Sequence, residues 1–369
     1  DTVLIPQVAM RRWLQATLAA RHGVAANLEF LTPGEFVARA LAANADPASA
    51  PGTELDAAVL QWRLYAALGE AGVLGRPALR ALRGHLDRAG RGQADEGKAW
   101  ALAGELAGVF EKYQAWRRDW LLRWEAGADP DDPQAVLWRE VAAGRAHRAR
   151  RIQDYLARFG GRDGAGALPA GLPPRLFAFA TLNVSPDVLR VLATQARTGT
   201  LHFYLPTPTR AYWGDLQALG ARLRADPQAP LAWLAGEDPG ENPLLRAWGA
   251  AGRDFMALLG SYEVVHPSGE IQAWVDPELA TSPTRAEGGL RDSLLHRLQA
   301  DLFHRRAAPA GPPRPQLDHD DPSLQAHACH TRLRELQVLH DRLRALLEDP
   351  RFDPPLQPRE IAVLAPDID

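Results

Sequence analysis

Apolar positions recur along this chain in two alternating rhythms. The chain opens with a short apolar run, Val3-Leu4-Ile5, closed by Pro6. Met10, Trp13, Leu14 and Leu18 then repeat at helical spacing to about Arg21. Asn27 to Leu31 reads as a second strand. Thr32-Pro33-Gly34-Glu35 is a capping box with proline at the first helical position, so a helix is predicted to about Ala43. From Glu54 to Arg151 the period is helical throughout, with predicted helices over 55–71, 76–89, 97–114, 117–125 and 134–158. Arg175 to Ala180 is a buried-strand run, Ser185-Pro186-Asp187 starts a helix to about Ala196, and Leu201 to Leu205 is a further strand. That spacing predicts a right-handed βαβ unit in a parallel sheet. Residues 215–225, 243–260 and 288–303 read as helices, 324–330 and 360–365 as strands, and 332–347 as an amphipathic helix.

The layout is an α/β fold: a parallel-sheet domain interrupted by a large all-helical insertion, followed by the start of a second α/β domain. Pro-, Ala- and Gly-rich stretches over 44–53, 159–174 and 306–321 set the predicted boundaries. The first part of the α/β domain covers 1–43, the insertion 44–165, the remainder of the α/β domain 166–305, a linker 306–321, and the start of the second domain 322–369.

Composition narrows the classes. The 369 residues are 46% hydrophobic and 24% charged, an ordinary globular mix that excludes whole-chain disorder. No stretch approaches the length of a membrane helix, and no secretion signal is expected. The single cysteine, Cys329, excludes an internal disulfide framework and suits a reducing cytoplasm. Net charge is −3, so overall basicity does not announce nucleic acid. Lys98 and Lys112 are the only lysines among 42 basic residues. Arginine stacks on bases and grips phosphates bidentately, and with eleven tryptophans it supplies what single-strand binding surfaces use.

Two motifs fail on inspection. Gly92 to Ala99 fits a phosphate-loop spacing, but Ala99 replaces the magnesium-binding hydroxyl and a helix end, not a buried strand, precedes it. Of His327, Cys329, His330 and His340, a strand sends His327 and Cys329 to one face and His330 to the other, which splits any zinc ligand set. Two basic-aromatic segments remain. Leu106 to Trp120 interleaves charges with rings, and on a helix reads as a solvated face over a core. Thr207 to Asp215 follows a strand, where Arg210, Tyr212 and Trp213 either stack a base and hold a phosphate or cap the sheet.

The combination resembles the RecC family, the gamma subunit of the RecBCD helicase–nuclease (exodeoxyribonuclease V). The matching segments include Trp13-Leu14-Gln15, Tyr113 with Arg117, Asp119-Trp120-Leu121, Trp124-Glu125, His147-Arg148-Ala149, Tyr212 to Asp215, Asn242 to Gly249, Cys329-His330 and Leu339 to Leu343. Their order covers essentially the whole chain. The resemblance implies an inactivated superfamily 1 helicase-like architecture, the second domain being RecA-like. Active relatives carry Asp-Glu after the second-motif strand to hold magnesium. Here that strand runs into Thr181-Leu182-Asn183, without an acid.

The resemblance further implies a non-catalytic subunit in double-strand break repair by homologous recombination. It is expected to bind RecB and RecD as a heterotrimer, to split forked double-stranded DNA, to thread the 3′ single strand, and to scan it for Chi. It implies no cofactor in this chain, with magnesium and ATP used by the partner subunits, no membrane, and action in the cytoplasm. The expected DNA-binding residues are Gln7, Arg12 and Trp13 after the opening strand; Val109, Glu111, Lys112 and Arg117 on the inserted helices; Arg148; and Arg210, Tyr212 and Trp213. Pro6, Val8, Arg12 and Gly108 depart from the enteric family pattern, so a different octamer, or none, is expected to be read.

Overall fold

The computed structural model describes residues 1–45, 55–87, 95–160, 167–180, 183–216, 241–261, 268–277, 293–307, 319–350 and 352–365. They form two compact units, Asp1–Pro206 with Asp254–Pro267, and Thr207–Arg253 with Ser268–Asp369.

The first unit is built on a four-stranded parallel sheet of order β2-β1-β3-β4, with β1 Thr2–Leu4, β2 Glu29–Leu31, β3 Arg175–Phe179 and β4 Thr200–Tyr204. Val3 pairs with Phe30 on one side and Phe177 on the other, and Phe177 pairs with His202. Helix α1 (Met10–His22) packs Leu14, Met10 and Leu18 on one face, against Val3, Ile5, Phe30, Phe177 and Phe179. On the other face α2 (Pro33–Ala43) and α10 (Pro186–Ala193) bury Phe36, Val37, Val188 and Leu192 against Leu4, Leu176 and Ala178. The local signals act as expected. The Thr32 hydroxyl accepts the Glu35 N–H at 3.2 Å and the Glu35 carboxylate accepts the Thr32 N–H at 2.7 Å. Ser185 caps α10.

Between β2 and β3 lies the helical block: α3 (Ala57–Gly69), α4 (Ala71–Leu74), a 3-10 turn at Pro77–Leu79, α5 (Arg80–Leu86), α6 (Glu96–Trp116), α7 (Arg118–Glu125), α8 (Pro133–Ala142) and α9 (Arg148–Phe159). Helix α6 presents Ala99, Ala103, Ala107 and Phe110 inward, and the three alanines leave room for Leu60 and Leu64 of α3 in a core that includes Trp138. Helix α9 belongs to two cores. Ala149 lies in that of the block, whereas Ile152, Tyr155 and Phe159 pack on the sheet with Leu4 and Leu176.

Four expectations need correction, the first being that the helix expected over 243–260 is two, Pro243–Trp248 and Ala250–Gly260, parted at Gly249. The helix expected over 134–158 is two helices, because Gly144 adopts φ +66° and His147 caps a new start. The helix expected over 76–89 is only the 3-10 turn and α5. The strands expected over 324–330 and 360–365 are not formed; Pro358–Glu360 is a 3-10 turn. An extended segment needs a paired neighbour for its backbone groups, and the second unit has no strand among the described residues.

The second unit contains α11 (Pro243–Trp248), α13 (Leu294–Phe303) and α14 (Arg332–Leu347); α12 (Ala250–Gly260) links the units in sequence. Helix α14 has the expected bounds and no buried residue. The expected helix over 215–225 falls from residue 217 outside the described residues, as do 288–292, Gly92 to Ala94, Thr181 and Leu182. Among the described residues no helix is long and apolar enough to cross a membrane, and no group of three His, Cys, Asp or Glu is arranged to hold a metal ion.

Candidate nucleic-acid interface

In parallel sheets the strand carboxyl ends form the usual binding edge. Here that edge carries the turn Pro6 to Ala9, in which Gln7 is exposed and its carbonyl accepts the Met10 N–H at 3.1 Å. Arg12 is exposed beside it, and Trp13 is 56% exposed with its ring 6.2 Å from Phe179 at the end of β3.

The same edge is reached by the helical block. Arg118, at the start of α7, pairs through Nη1 with Asp187 at 3.0 Å, in the first turn of α10, and both side chains are nearly buried. Burial pushes the Asp187 carboxyl up, and Arg118 and Arg190 only partly offset it. The neighbouring Arg117 is exposed, with its guanidinium 5.3 Å from the centre of the Trp120 ring, and Trp120 is 42% exposed. Tyr113 meets that ring edge-on at 5.7 Å and the Trp124 ring edge-on at 5.9 Å, and Trp124 lies tilted against Trp120 at 6.3 Å.

Arg148 is held beside the end of α6 by its backbone. The Arg148 N–H donates to Gln114 Oε1 at 3.0 Å, and Gln114 Nε2 donates to the Leu55 carbonyl at 2.9 Å. His147, fully buried, accepts the Arg150 N–H on Nδ1 at 3.3 Å, which leaves its proton on Nε2, 2.7 Å from Glu125. The Trp138 indole donates to the same carboxylate at 3.0 Å, and Arg150 engages its other oxygen. Burial raises the Glu125 carboxyl, but His147, Arg150 and Trp138 outweigh it and hold it down at about 2.

Of the expected residues, Arg117 and Arg148 are thus brought to the same end of α6. Glu111 and Lys112 are exposed on its last turns, and Val109 is half-buried. Arg210, Tyr212 and Trp213 belong to the second unit. Arg210 and Tyr212 are exposed, but Trp213 is 2% exposed and donates its indole N–H to the Gly249 carbonyl at 3.4 Å. Trp213 as a stacking residue is therefore corrected: its ring is core. The segment is fastened by Arg305, which pairs with Asp215 at 2.9 Å and Glu241 at 2.6 Å and donates to the Tyr212 carbonyl.

A family model described as the N-terminal domain of RecC matches residues 1–305. The chain belongs to the RecC family. The RecBCD enzyme subunit RecC of Escherichia coli (strain K12) is 31% identical over 418 residues, spanning all of this chain and 34% of that protein. The subunit of the same name in Mycolicibacterium smegmatis is 30% identical over 375 residues, again all of this chain and 30% of that protein. In Haemophilus influenzae the identity is 26% and the share 35%. The chain spans about a third of the length of these curated RecC relatives.

The residues that hold this RecC-family surface were not singled out in the sequence. Gln114 sits in register with Ala103, Ala107 and Phe110, and a polar residue in an apolar helical register was the available signal. Arg118 and Asp187 are far apart in sequence and carried none.

Proposed function

We propose that the chain is the N-terminal portion of a non-catalytic, DNA-binding RecC subunit. In this reading it has an inactivated superfamily 1 helicase-like frame. It associates with RecB and RecD in the cytoplasm, helps split forked duplex, and guides the 3′ single strand past a Chi-scanning surface. The observation that carries the proposal is the joint anchoring of Arg117, stacked on exposed Trp120, and Arg148 at one end of α6. A planar cation on an indole and a second arginine beside it suit an unpaired base and its phosphate.

The residues after β3 do not fit a magnesium–nucleotide. The segment Ala180-Thr181-Leu182-Asn183 has no carboxylate, and the next acid, Asp187, is taken up by Arg118 and Arg190. In this reading ATP and magnesium are used by the partner subunits.

The test is co-purification with RecB and RecD, followed by crosslinking to a forked duplex. A ternary complex with crosslinks at 108–120 and 147–150 is expected, as is steep loss of binding with salt. A complex whose DNA path bypasses this chain would leave a protein scaffold instead. Nucleoside triphosphate hydrolysis by the purified protein, abolished by substituting Asn183, would overturn the non-catalytic reading.

A further inference from the structure

Among the described residues, the α1 side of the sheet is covered over β1, β2 and part of β3 only. Its apolar cluster draws its helical members from α1 alone among the described residues. That helix lies over β1 and β2 and reaches β3. The register then continues onto β4, where the same cluster supplies no cover over His202 and Tyr204. Alternation sends Leu201 and Phe203 to the opposite face, with the α2 and α10 core, and sends His202 and Tyr204 to the α1 side. Both are exposed, Tyr204 by 54%.

The rings on this side form a continuous row. Trp13 lies 6.2 Å from Phe179, Tyr204 lies 6.4 Å from Phe177, and His202 stacks on Phe177 at 5.2 Å with planes 15° apart. Phe179 pairs with Tyr204 in the sheet register. A parallel sheet ordinarily buries both faces under aliphatic residues. Here the uncovered part is aromatic instead, and the helix beside it is basic: Arg11, Arg12, Arg21 and His22 occur in α1 without one acid. Between Thr2 and Leu28 the sequence has no Asp or Glu, in a chain whose net charge is −3.

We infer that this face is a stacking platform for the unpaired bases of single-stranded DNA, with Trp13, Tyr204 and His202 as the ring surfaces and Arg12 beside them for the phosphates. Flat rings on an open sheet accept any base by its π-face, and the local positive charge selects a polyanion over a neutral protein surface. The platform is continuous, through Trp13 and Arg12 on the first turn of α1, with the turn carrying Gln7. The inference rests on the DNA-binding reading and adds to it a place where the strand is held by its bases rather than by its backbone.

The experiment compares wild-type protein with a Trp13→Ala/Tyr204→Ala variant, using an oligothymidylate and an abasic strand of equal length at low salt. Both residues are exposed, so circular dichroism and the thermal midpoint should be little changed. Wild type should prefer the base-bearing strand, and the variant should lose about tenfold in affinity for it while keeping its affinity for the abasic strand. A His202→Ala variant should shift the same way, by less. Equal binding of the two strands by wild type, or unchanged preference in the variants, overturns the platform alone. Failure of wild type to bind either strand overturns the platform and the DNA-binding reading together. A variant that keeps strand preference but loses RecB or RecD would show the face to be a protein interface.

Discussion

The side-chain oxygen of Gln114 accepts the backbone N–H of Arg148 at 3.0 Å, while its nitrogen donates to the Leu55 carbonyl at 2.9 Å. One buried amide therefore ties the linker end of α3, the end of α6 and the start of α9. Replacing it by leucine leaves a backbone donor and a backbone acceptor without partners. Each orphan costs about 1–3 kcal/mol. Gln114→Leu is expected to lower unfolding free energy by about 2–4 kcal/mol, measured in urea. Unchanged stability would show that the amide is not the tie.

Glu125 supplies a pH dependence. Its folded value is about 2 against an ordinary 4.5, so the folded form holds fewer protons in that window. The stability it contributes is complete above about pH 4.5 and is lost as pH falls toward 2. Arg150 is half exposed, so screening reduces the effect to about 1–2 kcal/mol. Urea midpoints taken downward from pH 5 should fall more steeply for wild type than for Glu125→Gln. Parallel curves would refute the assignment.

Arg117 and Arg148 are expected to act through phosphates or bases of an unpaired strand. The Arg117→Ala/Arg148→Ala protein should bind single-stranded DNA more weakly. Its slope of log affinity against log salt should shrink by about 0.7 for each phosphate that an arginine no longer neutralises. An unaltered slope would mean that neither guanidinium meets a phosphate.

In the second unit, Arg305 adopts φ +53° and spans Asp215, Glu241 and the Tyr212 carbonyl. Arg305→Met should release the segment over 209–216, seen as faster amide exchange there. Trp213→Ala should cost about 3–5 kcal/mol, as for other buried aromatics, whereas Tyr212→Ala should fall within about 0.5 kcal/mol of wild type. Similar losses for both would contradict the opposite burial of these neighbours.

Much of the first unit was legible because its signals are local. Thr32 with Glu35, and Ser185 with Pro186, fixed helix starts within one residue, and short apolar runs marked all four strands. The break at 143–147 was missed because Ala143-Gly144-Arg145-Ala146 contains nothing incompatible with a helix; only the positive φ of Gly144 shows why it turns. Residues 324–330 alternate like a strand, but alternation cannot create the neighbour a strand requires. Trp213 and Tyr212 were indistinguishable by type, since which of two adjacent rings faces inward depends on Gly249 and Phe303, distant in sequence. The surface around Arg117 was visible as a mixture of charges and rings, whereas the couplings that hold it, Gln114 to Arg148 and Arg118 to Asp187, exist only once the chain has closed.

Helix α9 starts in one core and ends in another, with no joint between Ala149 and Phe159. A rod clamped at both ends carries any tilt of the sheet layer directly to Arg148. The inserted helices are therefore a lever arm rather than an ornament, and excising them at their borders in the sequence would remove a wall of the sheet as well.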